Sequence, residues 1–274
     1  MSDISGPVLL VGCGKMGGAL LGGWIASGLQ PDDVAVVEPA EALAQSARDE
    51  HGVAVYGTLD DMAPGFAPQV VVLAVKPQVM DDVVPPYGRF AGPGTVFLSI
   101  AAGKSIAYLE SRLGQNAAIV RSMPNTPAAV GRGIAVLCAN QATDQTKAEA
   151  CRTMLAAVGE AVVVDDESLL DAVTAVSGSG PAYVFLLIEC LAQAGIEAGL
   201  PAELSQRLAL ATVAGSGALA AQADEPAAVL RQNVTSPGGT THAALGVLMA
   251  EDGLQQLMTR AVAAATQRSV ALAD

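Results

Sequence analysis

The sequence predicts a two-part α/β protein, in which an N-terminal doubly wound, mainly parallel sheet precedes an all-helical C-terminal part. Three observations lead to this prediction. A short apolar run, Val8–Val11, leads into the glycine-rich turn 12–17 and then into apolar residues at helical spacing. Further apolar runs alternate with helical patterns up to about residue 165. From Leu169 onward, the strand patterns stop and only helical patterns follow.

The later predicted strands are Val34–Val37, Val70–Val75, Thr95–Ile100, Ala118–Arg121, Gly133–Cys138 and Ala161–Val164. Because ligands bind at the carboxyl ends of strands in open α/β sheets, we expect the segments that follow the strands to meet in one crevice. Lys76, which directly follows the predicted strand Val70–Val75, is either a cofactor-contacting cation or an exposed strand cap. Asn125 and Thr126, between two prolines, form either a wall of the site or a structural turn.

The turn Gly12-Cys13-Gly14-Lys15-Met16-Gly17 has the G-x-G-x-x-G spacing of a dinucleotide-binding turn. Gly12 permits the tight turn, Gly14 lets a pyrophosphate approach the backbone, and Gly17 lets helix and strand pack. The strand Val34–Val37 ends in Glu38, about 20 residues after the third glycine, where a ribose-binding carboxylate is expected. The sequence therefore predicts a Rossmann-type domain, the alternative being an α/β turn with chance glycines.

Glu38 also bears on the type of cofactor. A carboxylate can accept hydrogen bonds from both ribose hydroxyls of NAD, whereas it would repel the 2′-phosphate of NADP, and the nearest arginine in sequence is Arg48. The sequence thus favours NADH over NADPH, unless Glu38 is only a solvated residue at a strand end.

Composition excludes several classes of protein. The 274 residues carry a formal charge of −13, which disfavours nucleic acid as a partner. The mean hydropathy is +0.43, but the apolar runs are shorter than the roughly 20 residues of a spanning helix, so no membrane partner is expected. Without a basic-then-apolar leader, we expect a cytoplasmic protein. The scattered cysteines indicate reduced, mostly buried thiols and no metal site: Cys13, Cys138, Cys151 and Cys190.

The change of pattern near residue 166 predicts two domains, 1–166 and 167–274. The predicted helices of the second are Pro181–Ala198, Pro201–Ala221, Ala227–Gln232 and Ala243–Val270, the last broken at Asp252-Gly253. Pro181 suits the first turn of a helix that is capped by Ser179 or Gly180. The free amides at this helix start could bind an anion or contact another chain. The alternative is a helix start that binds no ligand. The predicted helical domain 167–274 is apolar and rich in glycine, which suggests that it packs against a second subunit.

Between two of these helices lies Val234-Thr235-Ser236-Pro237-Gly238-Gly239-Thr240-Thr241, which combines hydroxyl side chains with a Gly-Gly pair. Glycine-rich backbone is costly to order and is typical of places where amides approach a ligand. The alternative is a turn that merely joins two helices.

Together these segments resemble the pyrroline-5-carboxylate reductases, which reduce Δ1-pyrroline-5-carboxylate to L-proline with NAD(P)H. The resemblance spans the chain, and its most specific segments are Ser177–Tyr183 and Asn233–Thr241. It implies an intertwined homodimer, or a higher assembly of dimers, built on the helical part. One departure is that many members carry a neutral or basic residue at the position of Glu38.

The resemblance also implies site residues. Those implied to contact the cofactor, beside the glycine turn, are Ala74, Val75, Lys76, Pro77, Ala101, Ala102 and Gly103. Those implied to hold the carboxylate and ring nitrogen of the substrate are Asn233, Val234, Ser236, Gly239, Thr240 and Thr241, with Ser179 as a further candidate.

The chemistry agrees with an imine substrate. A ketone reductase needs a proton donor for the nascent alkoxide, and related enzymes use a lysine of the helical half, but no lysine follows Lys147. A protonated cyclic imine accepts hydride and yields a neutral amine. We therefore expect Thr241 to hydrogen-bond the ring nitrogen, unless it caps the following helix. His242 is interpreted as a packing or capping residue. Two alternatives remain: a Rossmann reductase of another imine or keto acid, and a non-catalytic dinucleotide-binding regulator.

Overall fold

The computed structural model describes residues 6–63 and 65–273, which form two compact units. The first unit extends to Gly178 and also contains the chain from Ala265 onward, while the second is Ser179–Ala264. The predicted domain boundary at residue 166 precedes this division, because Leu170 is fully buried in the core of the first unit. Residues 1–5, 64 and 274 of the predicted domains lie outside the described residues.

The first unit contains an eight-stranded sheet. Its strands are β1 (Val8–Val11), β2 (Val34–Val37), β3 (Ala54–Tyr56), β4 (Val70–Leu73), β5 (Val96–Ser99), β6 (Ala118–Met123), β7 (Gly133–Ala139) and β8 (Gly159–Val163). Their spatial order is β3-β2-β1-β4-β5-β6-β7-β8, and all neighbours are parallel except β6 and β7. The doubly wound sheet predicted from the sequence is therefore confirmed.

The boundaries of β4, β5, β6, β7 and β8 differ from the prediction by one or two residues at one or both ends. β4 ends at Leu73 rather than Val75, and β8 begins at Gly159, earlier than predicted. β3 was not predicted, because it has only three residues and none of them is fully buried, so it lacks the continuous apolar run of the central strands.

Helices cover both faces of this sheet. They are α1 (Lys15–Ala26), α2 (Glu41–His51), α3 (Met80–Val83), α4 (Ile106–Leu113), α5 (Gln145–Ala156) and α6 (Leu169–Val173), the last followed by the π-helical turn Thr174–Gly178. Trp24 is buried on one face, where its indole Nε1 donates to the carbonyl of Met154 at 2.9 Å. Phe97 is buried on the other face. The strands β1, β2 and β4 are thus apolar throughout because both of their faces are covered.

The second unit is helical: α7 (Gly180–Glu197), α8 (Ala202–Gln222), α9 (Ala227–Asn233), α10 (Thr240–Leu248) and α11 (Leu254–Ala273), whose last residues belong to the first unit. The predicted break at Asp252-Gly253 separates α10 from α11. α7 and α8 pack closely, since the buried Ser205 hydroxyl donates to the carbonyl of Ala192 at 2.6 Å and a Cβ on Gly195 would overlap it.

Large apolar side chains of the second unit are exposed in the single chain, among them Phe185 at 59% and Leu210 at 57%. The helical stretch Leu169–Glu197 is long and apolar enough to cross a membrane by length and composition alone, and 11% of its most apolar window is buried. An apolar surface of this extent is typical of helices that a second copy covers.

Candidate dinucleotide and substrate sites

The glycine turn between β1 and α1 has no room for side chains at two of its glycines. Gly12 has φ +87°, and a Cβ there would lie 2.9 Å from Cγ1 of Val75. A Cβ on Gly17 would overlap the carbonyl oxygen of Gly12. Gly14 instead faces open space and is the N-cap of α1, which no side chain caps. The turn therefore leaves open space beside the amides of a helix N-terminus, the environment that a diphosphate requires.

Glu38 lies directly beside this turn. Its Oε2 accepts a hydrogen bond from the amide of Cys13 at 2.7 Å, and its Oε1 accepts one from the amide of Ala40 at 2.9 Å. The residue is 8% exposed, so two backbone amides compensate for the loss of water around the carboxylate. Each oxygen keeps a further lone pair, so the carboxylate can still accept hydrogen bonds from ribose hydroxyls.

A cleft of about 660 Å³ opens at the carboxyl ends of β1, β2 and β4. Six of the predicted cofactor residues line it: Gly12, Gly14, Glu38, Ala74, Val75 and Lys76. Its other walls were missed from the sequence and are largely apolar: Pro39, Leu43, Leu59, Val79, Val83, Pro86 and Tyr87. They follow β2, β3 and β4, so recognising β3 as a strand would have directed attention to Leu59. The size and apolar walls of the cleft suit a nucleoside.

Charges in the cleft are mostly negative. Glu38, Asp60 and Asp82 line it together with Lys76. Arg48, the nearest arginine in sequence, donates to Glu41 Oε1 at 3.0 Å and to the carbonyl of Val55 at 3.3 Å. Among the cleft-lining residues in the described part of the chain, Lys76 is therefore the one cation.

The remaining predicted cofactor residues do not line this cleft. Lys15 and Met16 occupy the first turn of α1, and Pro77 begins a 3₁₀ turn. The segment Ala101–Gly103 follows β5, the strand beside β4, so it lies at the same edge of the sheet. Whether these residues contact a cofactor stays a prediction.

Asn125 joins two neighbouring segments of the first unit. Its Nδ2 donates to the carbonyl of Ser177 at 3.1 Å, and its Oδ1 accepts from the amide of Ile134 at 2.9 Å. Of the two roles that the sequence left open, the structural one accounts for both polar atoms of this side chain.

The hydroxyl-rich segment of the second unit forms a tight turn before α10. The amide of Gly239 donates to the carbonyl of Ser236 at 3.0 Å, and Gly238 has φ +73°. Pro237 and Gly238 at the two central positions are typical of a type II turn. Asn233 ends α9, and Val234 is 65% exposed. Apart from Ser179, the predicted substrate residues thus lie within the short stretch 233–241, from the last residue of α9 to the first turn of α10.

Gly239 is the N-cap of α10, and no side chain caps this helix. Thr240 and Thr241 are its first two residues, so the alternative role of Thr241 as the N-cap is wrong. Among the hydrogen bonds of residues 6–63 and 65–273, none involves the Thr241 hydroxyl. Ser179 is the N-cap of α7, as predicted, and its side chain does not cap the helix either.

The potential metal ligands and the cysteines among the described residues bear on whether the protein could use metal or thiol chemistry. No group of three or more potential metal ligands occurs within 6–63 and 65–273. The cysteines are free; Cys13, Cys138 and Cys151 are buried, and Cys190 is exposed. Burial, reinforced by Glu38, raises the pKa of the Cys13 thiol to about 11.

The glycine turn, the strand-end carboxylate and the cleft define an oxidoreductase-type domain for a nicotinamide dinucleotide. Residues 7–103 match the family model described as NADP oxidoreductase, coenzyme F420-dependent, and residues 167–272 match pyrroline-5-carboxylate reductase dimerisation. A pyrroline-5-carboxylate reductase of Pseudomonas aeruginosa is 40% identical over 97% of each chain. The chain belongs to the pyrroline-5-carboxylate reductase family.

Solved structures agree with this assignment. A pyrroline-5-carboxylate reductase from Coxiella burnetii has a TM-score of 0.92 and 33% identity, covering 98% of this chain and 99% of the other. A Plasmodium falciparum pyrroline carboxylate reductase with NADP bound has a TM-score of 0.83 and 29% identity, covering 99% of each chain. The Rossmann-type domain and the helical dimerisation domain predicted from the sequence are confirmed.

Proposed function

We propose that this protein reduces Δ1-pyrroline-5-carboxylate to L-proline, the last step of proline biosynthesis, with NADH as its preferred hydride donor. The observation that carries the proposal is the connection between α9 and α10. It presents hydroxyls and the amides of an uncapped helix, and it contains no lysine, carboxylate or cysteine. Such a surface can bind a carboxylate and a ring nitrogen without a titrating group.

The proposed reaction needs no general acid from the protein, because the hydride is transferred to the imine carbon and the imine nitrogen is already protonated. NAD(P)H supplies the hydride when it is bound. The protonated imine becomes a neutral amine, so no oxyanion has to be stabilised, and the absence of any lysine after Lys147 is no obstacle. The same absence counts against a ketone reductase of this architecture. A non-catalytic regulator would leave the segment Ser236–Thr241 without a role.

In this proposal, the hydroxyl oxygen of Thr241 accepts a hydrogen bond from the N–H of the protonated ring nitrogen. The side chain is partly exposed and is not used as a helix cap. Ser236 and the amides of Gly239 and Thr240 hold the substrate carboxylate, favoured by the positive end of the α10 dipole. Asn233, Val234 and Ser179 complete the proposed substrate set.

The preference for NADH rests on the negative charge of the cleft. Glu38 is held by the amides of Cys13 and Ala40, so it cannot easily turn away from a ribose 2′-substituent. Arg48 is already paired with Glu41. A 2′-phosphate would therefore meet a carboxylate without a neutralising arginine. The Plasmodium falciparum relative was solved with NADP bound, so a preference for NADPH is the alternative that the assay below must distinguish.

We further propose that the cofactor-binding set includes Lys15, Met16, Gly17 and Pro77 and the loop Ala101–Gly103, and that the domain boundary near residue 166 marks the start of the dimerisation segment. The active form is a homodimer or an assembly of dimers.

We also propose that the protein works in the cytoplasm, which subcellular fractionation tests.

The deciding experiment is an assay of NADH and NADPH oxidation with Δ1-pyrroline-5-carboxylate, run beside a panel of keto acids. We expect turnover of the cyclic imine, higher kcat/KM with NADH, and no turnover of keto acids. Preferential turnover of a keto acid would overturn the proposed substrate, and a higher kcat/KM with NADPH would overturn the proposed cofactor preference.

A further inference from the structure

The last turn of α11 lies against Gly103 in the loop Ala101–Gly103. Gly103 has φ +73°, and a Cβ there would lie 3.3 Å from both Cβ and the carbonyl oxygen of Leu272. A residue with a side chain at position 103 would therefore have to adopt a left-handed backbone conformation and would push Leu272 away by a few tenths of an ångström. This contact joins residues separated by most of the chain, within the first compact unit.

The end of α11 is itself held in place by a buried polar contact. The hydroxyl of Ser269 donates to Oδ1 of Asp171 at 2.6 Å, and Ser269 is 5% exposed. Leu170, beside Asp171, is fully buried under the sheet. The last turn of α11 is therefore fixed to α6, and α6 is fixed to the core.

A second contact holds the other flank of the loop. Oε1 of Glu167 accepts hydrogen bonds from the amide of Ile106 at 2.8 Å and from Nη1 of Arg121 at 2.7 Å. The Arg121 side chain is 7% exposed and the Glu167 side chain is 30% exposed, so the pair is shielded from water mainly on the side of the arginine. Glu167 and Leu272 are also the two ends of the segment that matches the dimerisation family. That segment thus contacts both flanks of the loop 101–106.

We propose that Glu167 and the last turn of α11 are positioning elements that hold the loop Ala101–Gly103 in its cofactor-binding conformation, so that cofactor affinity depends on the C-terminal turn of the chain. The inference rests on the proposed assignment of this loop to the cofactor. A loop that is not held must be ordered when the cofactor binds, and that ordering lowers affinity. Leu272 contacts no reacting atom and acts only through the loop.

The test uses two truncations of the 274-residue chain. One ends at Val270 and removes the Leu272 contact, while the matched control ends at Leu272 and keeps it. We expect Kd and KM for NADH to rise about threefold to tenfold in the shorter protein, with kcat at saturating NADH within about twofold of the control. Light scattering and thermal unfolding establish that both proteins keep the same assembly and fold.

Ser269→Ala gives a second, milder variant, because it removes the bond to Asp171 and leaves the whole helix in place. We expect it to raise KM for NADH in the same direction as the truncation. Glu167 is less suitable, because its removal would leave the buried Arg121 unpaired and lower global stability. Unchanged Kd for NADH in both the truncation and Ser269→Ala would overturn the proposal, as would a fall in Tm without any change in Kd.

A third variant separates this inference from the assignment on which it rests. Ala102→Val enlarges the loop itself, and we expect it to raise Kd for NADH. If Ala102→Val changes Kd while the truncation does not, the loop binds cofactor and only the positioning role is wrong. If Ala102→Val has no effect on Kd, the loop assignment is wrong and the inference is overturned with it.

Discussion

The carboxylate of Glu38 accepts the amide hydrogen of Cys13 at 2.7 Å, which joins the end of β2 to the middle of the glycine turn. The contact gives Glu38 two roles. Its charge faces the cleft where a ribose would lie, and its oxygens hold the turn in shape through the amides of Cys13 and Ala40. Substitutions of Glu38 therefore change both cofactor selection and the geometry of the turn, and an experiment must separate the two.

The first prediction concerns this selection. Glu38→Ser and Glu38→Gln both remove the negative charge, but glutamine keeps one oxygen as an acceptor for a backbone amide. We expect both to raise the ratio of kcat/KM for NADPH to that for NADH by several-fold, since repulsion at a cleft rim is worth about 1 kcal/mol.

Asp49→Asn is the matched control, because it removes one negative charge from an exposed residue of α2 that does not line the cleft and whose carboxylate accepts from Gln45 Nε2, so the pair between Arg48 and Glu41 stays intact. The control should leave the ratio unchanged. Equal kcat/KM for the two cofactors in the wild type, unaltered by either Glu38 substitution, would contradict the prediction.

The second prediction concerns the substrate. Thr241→Ala should leave NADH binding intact and lower kcat/KM for the imine by about tenfold to a hundredfold, because a hydrogen bond to a charged nitrogen is worth roughly 1.5–3 kcal/mol. A general acid would instead alter the pH profile and cost more.

Thr235→Ala is the control for Thr241, because the Thr235 hydroxyl donates to the carbonyl of Arg231 at 2.6 Å and is already used within the helix end. Steady-state kinetics and direct NADH titration are the measurements. Full activity of Thr241→Ala, or equal losses in NADH binding and turnover, would contradict the prediction. Ser236 or Ser179 would then be the next candidate for the hydrogen bond to the ring nitrogen.

The third prediction concerns assembly. The smallest active species should be a dimer whose interface comes from residues 167–274, and dilution should unfold or inactivate it rather than release a stable monomer. Phe185→Glu places a charge on the exposed apolar surface of α7 and should abolish the dimer. Val130→Glu, at a 75% exposed apolar residue of the first unit, should not. Light scattering at assay concentration is decisive, and an active monomer would refute the prediction.

The fourth prediction concerns the thiol of the glycine turn. Burial and the neighbouring Glu38 raise the pKa of Cys13 to about 11, so the thiol stays protonated at pH 8. Because the thiolate is the reactive form and the side chain is 7% exposed, iodoacetamide should leave Cys13 unmodified in the native protein at pH 8. Peptide mass spectrometry measures this, with urea-unfolded protein as the control. Rapid labelling of native Cys13 at pH 8 would show the prediction to be wrong.

Local patterns predicted the elements that carry a strong periodic or compositional signal. The run Val70–Val75 predicted a central strand because a parallel strand covered on both faces must be apolar throughout. β3 lacked that signal, since an edge strand of three partly exposed residues is stabilised by pairing with β2 rather than by its own burial. The cleft walls contributed by Leu59 and Tyr87 were missed for a related reason, because they come from separate segments that meet only in the fold.

The sequence by itself determined the glycine turn, the carboxylate at residue 38, the change to helices near residue 166 and the hydroxyl-rich connection 233–241. Each depends on neighbours in the chain, through backbone freedom, strand burial or turn chemistry, and these forces act locally. Only the tertiary structure decided that Glu38 bonds to Cys13, that Asn125 holds the carbonyl of Ser177, and that Leu272 lies against Gly103. Those contacts join distant segments, and they depend on how the strands order and how the C-terminal helix returns to the sheet, which no local pattern specifies.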